Sequence, residues 1–280
     1  VSKEKFFIFT RGRTGSTAII DELDNHPDIV ALQELFISLE KSPELSKAYL
    51  EHGKGFYKHI SAPYQVLPYG AWSSQYRRFR LPVIGVTYLA CNRLISEKGM
   101  LSLYLDQSEQ RTLLSGQGKR FGFKVLANHF DERPDLAGAL KARGYMAIYL
   151  ERKNTVKLIL SGLIARQRGI YNLKNYIASE ESYVIDLEDF EKRVIWAKDS
   201  VQKEKTWLKE KGFDVHVITY EDFVEDRETF FQGICSMLDI PFMLPPETDY
   251  SVMIPDLSKT IANYESLVTK VHEMGISDPL

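Results

Sequence analysis

Side chains able to do chemistry gather at a few places in this 280-residue chain. The densest is Arg11-Gly12-Arg13-Thr14-Gly15-Ser16-Thr17, which packs arginines, glycines and hydroxyls into one short stretch. Such a mixture suits an anion, because guanidinium groups bring charge, glycines let backbone N–H groups come close and hydroxyls add hydrogen bonds. Further along, Glu34 leaves the apolar run Ile29-Val30-Ala31-Leu32 as a carboxylate able to accept a proton. Arg152-Lys153-Asn154 follows another apolar run, with Ser161 about two helical turns on, and a cationic pair plus a hydroxyl suits a phosphate group. His129 closes Arg120–His129 and is a candidate for proton transfer, its other reading being simple packing and local hydrogen bonding.

These groups need elements to hold them. Phe6-Phe7-Ile8-Phe9 reads as a buried strand, and Thr17–Asn25 carries Ile19, Ile20 and Leu23 at helical spacing before His26-Pro27 stops it. A strand entering a helix through a glycine loop aims backbone N–H groups and the positive end of the helix dipole at one point. The plain alternative is a turn that uses glycine for conformation only. In doubly wound sheets ligands sit outside the carboxyl ends of the strands, so Glu34 belongs beside this loop if the first two strands are neighbours. Otherwise it is a solvated strand-end carboxylate.

Strands are also predicted over Arg120–His129, Tyr145–Leu150 and Val215–Tyr220. Helices are predicted over Arg133–Arg143, Thr155–Gln167, Asp186–Lys211 and Glu225–Leu238. Strand–helix alternation at this spacing implies an α/β fold with a doubly wound parallel sheet flanked by helices, in one domain spanning 1–280. The stretch 38–115 is less regular. Glu44–His52 reads as helical, and Pro63–Pro82 contains Tyr76-Arg77-Arg78-Phe79-Arg80, either an acceptor-binding insert or a basic surface loop with snorkelling side chains.

Bulk composition narrows the function classes. A net charge of −2 gives no global field for nucleic acid or an anionic membrane, so an anion site must be built locally. Two cysteines, Cys91 and Cys235, make neither a disulfide framework nor a metal cluster, which fits a reducing cytoplasm. No leader or membrane-spanning run is visible, although a start at Val1 leaves room for an upstream segment.

The loop differs from a nucleotide triphosphatase loop, which needs Gly-Lys-Ser/Thr: here Ser16 and Thr17 follow Gly15 directly and Arg13 precedes it. Arg13-Thr14-Gly15-Ser16-Thr17 instead resembles the (K/R)-(S/T)-G-(S/T)-(S/T) loop of sulfotransferases that use 3′-phosphoadenosine 5′-phosphosulfate (PAPS). The likeness is nearest to the bacterial branch with nodulation and trehalose sulfotransferases. It extends to Lys153-Asn154 with Ser161, to Tyr220-Glu221-Asp222-Phe223 and to Asn263-Tyr264-Glu265, leaving 38–115 unmatched. The late Arg-Lys-Gly segment of many eukaryotic cytosolic members is absent, as it commonly is in the bacterial branch.

The resemblance implies a P-loop-type sheet and sulfuryl transfer to a hydroxyl of a small molecule, carbohydrate or glycolipid. It makes Glu34 the base and Arg13 the electrostatic stabiliser, with His129 assisting. The donor would be held by Arg11, Gly12, Arg13, Thr14, Gly15, Ser16, Thr17 and Ser161, with Arg152 or Lys153 at the 3′-phosphate, and no metal would be needed. Two rivals stay open: a P-loop kinase or triphosphatase with Glu34 or Glu151 on magnesium, and a nucleotide-binding module without activity.

Overall fold

A computed structural model describes residues 4–37, 66–79, 95–114, 120–169, 181–250 and 256–277. The expected helix Glu44–His52, Cys91 and the whole basic aromatic run Tyr76–Arg80 lie outside the residues whose side chains are described.

Five strands form the sheet: β1 (Lys5–Thr10), β2 (Ile29–Leu32), β3 (Arg120–Leu126), β4 (Met146–Glu151) and β5 (Val215–Thr219). Every pairing is parallel and the order is β2-β3-β1-β4-β5, so all carboxyl ends share one edge. β3 therefore stands between β1 and β2, so the condition under which Glu34 would lie beside the loop, that the first two strands are neighbours, is not met. The short crossover from β1 passes over the place that β3, far along the chain, later fills.

The strands are apolar on both faces because both faces are covered. In β1, Phe7 and Phe9 enter one core and Phe6 and Ile8 the other. The first core packs against α2 (Tyr69–Phe79), α3 (Glu97–Leu114), α4 (Ala127–Glu132), α5 (Leu136–Ala142) and the end of α7 (Leu187–Glu210). The second packs against α1 (Ser16–Leu23) and α9 (Arg227–Leu238). A third cluster joins α6 (Thr155–Arg168) and α7 to α11 (Tyr264–Glu273). The short α8 (Tyr220–Glu225) follows β5, and α10 (Leu257–Thr260) precedes α11.

Several expected boundaries move. The strand predicted to reach His129 ends at Leu126, and Ala127-Asn128-His129 turn into α4. Leu126 N–H donates to His129 Nδ1 at 3.2 Å, so the imidazole stops the strand by taking its last amide. The helix expected over Arg133–Arg143 starts only at Leu136. Asn263, in the Asn-Tyr-Glu step, is structural: its side chain exchanges both amide hydrogen bonds with the Ile185 backbone, at 2.9 and 2.8 Å.

Candidate functional site

The loop between β1 and α1 is wound by two left-handed residues, Arg13 (φ 72°) and Gly15 (φ 72°). Gly15 is required twice over, by its φ and because an added Cβ would lie 2.4 Å from Tyr220 Cδ2. Arg13 has a Cβ and still adopts this conformation, a departure of the kind that concentrates at functional sites. Thr10 and Thr14 lock the turn: their hydroxyls share a hydrogen bond at 2.5 Å, and the one that accepts in it donates its own proton to the Arg11 carbonyl, 3.0 Å from Thr10 and 3.2 Å from Thr14. Gly15 then caps α1, leaving the Ser16 and Thr17 N–H groups in the first turn, where a helix supplies no partner of its own.

On the β4 side, Arg13 Nε donates to Ser161 Oγ at 3.1 Å, so the loop and α6 meet. Arg152 leaves the end of β4, donates from Nη1 to the Arg13 carbonyl at 3.2 Å and lies 4.6 Å over the Tyr220 ring. Its Nε is buried without a hydrogen-bond partner, and burial lowers its pKa from the ordinary guanidinium value. Lys153 faces another way: its ammonium is exposed and pairs with Asp222 at 3.2 Å. Its backbone N–H and that of Asn154 both donate to Glu221, and Asn154 caps α6 by accepting from Lys157 N.

Arg11 also turns away from the loop interior. Its guanidinium is bidentate on Glu204 of α7, with a shortest distance of 2.6 Å, and lies 4.2 Å over the Trp196 ring. Glu204 accepts from Tyr149 as well, so Arg11 ties the loop to α7. Gly12 is exposed at the tip.

The β3 side gathers a carboxylate, an ammonium and an imidazole. Lys124 projects from β3, a buried ammonium 2.9 Å from Glu34 Oε1 and 3.3 Å from Thr17 Oγ1. Gln33 adds a second link by donating from Nε2 to the Thr17 carbonyl at 3.0 Å. Glu34 is thus held at the loop through β3 rather than through direct pairing of β2 with β1. His129 Nε2 lies 3.8 Å from Glu34 Oε2. Burial pushes His129 down to about 4, against the opposing pull of Glu34, so the ring is neutral at pH 7. Because Nδ1 accepts from Leu126, the proton of the neutral ring sits on Nε2 and points its dipole at the carboxylate.

Lys124 and Tyr220 were not singled out as site residues from sequence. Lys124 had a signal, a cation inside the otherwise apolar Phe121–Val125, where burial demands a partner. Tyr220 had only its place in the matched Tyr-Glu-Asp-Phe step, since its position over Gly15 depends on β5 lying two strands away from β1. Among the described residues no cluster of His, Cys, Asp and Glu is arranged to hold a metal, and no helix is long and apolar enough to cross a membrane.

No family model matches the chain, and no curated protein matches it. Among solved structures it is similar to the sulfotransferase domain from the Synechococcus PCC 7002 olefin synthase, at 14% identity over 98% of this chain and 96% of that one, with a TM-score of 0.44. It is also similar to a sulfotransferase from Alicyclobacillus acidocaldarius, at 16% identity over 98% and 96%, with a TM-score of 0.42. A third is a sulfotransferase from Mycobacterium avium, at 14% identity over 100% and 78%, with a TM-score of 0.45. Likenesses of this degree fix neither family nor activity.

Proposed function

We propose that the protein is a sulfotransferase that moves a sulfuryl group from PAPS to a hydroxyl, with a carbohydrate or glycolipid as the acceptor class. The observation that carries this reading is the meeting of three sequence-distant groups at one sheet edge: the Gly15 loop, the Arg13–Ser161–Arg152 cluster, and Glu34 tied to Thr17 by Lys124. The donor fits the residues present. Arg152 Nε is a buried cationic donor without a partner, a condition that an anionic ligand relieves.

When bound, PAPS supplies the sulfuryl group and a phosphate as the leaving group. The N–H groups of Ser16 and Thr17, with Arg13, hold the 5′ end and stabilise charge where it develops. Arg13 stays charged throughout, its pKa being above about 12, and acts only through its field. Arg152 and Ser161 hold the 3′-phosphate. Glu34 takes the acceptor proton, and neutral His129 orients that carboxylate from Nε2.

Both strand-end carboxylates that a magnesium site would need already have ammonium partners, Glu34 with Lys124 and Glu151 with Lys205. That weighs against the kinase reading. We assign the activity to one domain with an acceptor-binding insert in 38–115, working in the cytoplasm.

The test is thermal unfolding with adenosine 3′,5′-bisphosphate, alongside ATP and ADP with magnesium. At about 100-fold over its dissociation constant a ligand adds ~2.7 kcal/mol. For a domain of this size the expected rise is several degrees with the bisphosphate. A rise only with ATP and magnesium overturns the sulfotransferase reading.

A further inference from the structure

One side chain spans the gap between the carboxylate and the anion loop. Lys124 Nζ touches Glu34 Oε1 at 2.9 Å and Thr17 Oγ1 at 3.3 Å, and the side chain is only 3% exposed. Water screens such an ammonium poorly, so its field at the loop depends on whether its counter-charge is present. His129 cannot take over as counter-charge or as cation, because its buried ring is neutral.

Resting on the reading proposed above, we infer that Lys124 couples the two ends of the reaction. While Glu34 is a carboxylate, the ammonium is neutralised and the loop feels little of it. As the acceptor oxygen bonds to sulfur, its proton passes to Glu34. The electron pair of the breaking sulfur–oxygen bond stays on the 5′-phosphate. Protonated Glu34 no longer offsets Lys124, so a full positive charge faces Thr17 when the phosphate gains its negative charge. Base and leaving group are thereby linked through one cation, and Lys124 is a positioning residue with a switchable field rather than a fixed anchor.

The linkage is visible in binding without turnover. Dissociation constants for adenosine 3′,5′-bisphosphate are measured by calorimetry on the wild type, Glu34→Gln, Lys124→Met and the double variant. Glu34→Gln leaves the ammonium unopposed and is expected to tighten binding about tenfold, the ratio given by ~1.4 kcal/mol. Lys124→Met removes the ammonium that faces the loop and is expected to weaken binding about tenfold. The double variant, with the pair's net charge restored to zero, returns close to wild type. A merely structural pair would give two weakened single variants instead.

All four proteins binding alike, or both single variants weakening together, overturns the coupling while leaving the donor site in place. Absence of binding by the wild type overturns the donor reading itself, and the coupling with it. Should Glu34→Gln not fold without its ion pair, the double variant beside Lys124→Met decides: affinity restored close to wild type supports the coupling, and affinity as weak as in Lys124→Met overturns it.

Discussion

The two flanks of the anion loop solve different problems with similar residues. On the β4 flank, Arg13 reaches Ser161 and Arg152 reaches the Arg13 carbonyl and the Tyr220 ring. Carbonyl and ring orient the Arg152 guanidinium toward the loop without cancelling its charge. On the β3 flank, Lys124 meets Glu34 directly and His129 is held neutral. There the charges balance, and only a proton transfer unbalances them. On the proposed reading one flank holds an anion and the other receives a proton. The difference lies in the partners given to each cation, not in how many cations there are.

The comparison breaks most visibly at Glu34. Glu34→Gln keeps the shape of the β3 flank and removes its proton acceptor. Turnover is expected to fall by ~10²–10⁴-fold, the usual weight of a general base. Bisphosphate binding is expected to survive and, with Lys124 no longer offset, to tighten. Single-turnover assays with PAPS beside calorimetry separate the two. Retained turnover removes Glu34 from the mechanism and collapses the distinction between the flanks.

His129 tests the same flank through stability. Its folded pKa, about 4, lies below the ordinary 6.5, so between those values the unfolded chain binds the extra proton. Stability from this group is therefore full above pH 6.5 and is lost as pH falls toward 4. A tenfold change in proton affinity is worth about 1.36 kcal/mol, which puts the whole loss at ~3 kcal/mol or less. Urea unfolding across this range is expected to show a shallower pH slope in His129→Gln than in wild type. Equal slopes would mean that the ring is not held neutral.

The flanks also differ in how far the sequence revealed them. The strand Phe6–Phe9, the glycine loop and the helix after it form one contiguous signal, because all three parts are neighbours in the chain. Ser161 was legible too, since β4 and α6 follow one another and helical spacing places it near the loop. The β3 flank was not, because Glu34, Lys124 and His129 come together only through the order β2-β3-β1. Nothing local encodes which strand enters between two earlier ones, so the sequence could place Glu34 at the loop only on condition that β1 and β2 pair, whereas Lys124 of the intervening β3 makes the link. Apolar periodicity continues past Leu126 and so carries the predicted strand on to His129; what ends the strand is a side chain accepting a backbone amide, which periodicity does not register.

Two adjacent cations give the finest comparison within the β4 flank. Sequence left Arg152 and Lys153 as equal candidates, yet successive residues at a strand end point to opposite sides. Arg152 faces the loop, with its Nε buried and unpartnered. Arg152→Lys keeps the charge but loses the planar fork, and is expected to weaken the bisphosphate about 10–100-fold, the range of a charged hydrogen bond worth ~1.5–3 kcal/mol. Lys153 is more than half exposed on its pair with Asp222, and such pairs contribute ~0.2–1 kcal/mol to stability. Lys153→Ala is expected to change bisphosphate affinity less than about twofold, because screening by water mutes an exposed charge. Calorimetry on both variants decides the assignment. A larger loss in Lys153→Ala than in Arg152→Lys would move the 3′-phosphate to the exposed face and leave the buried Arg152 Nε to be explained by packing alone.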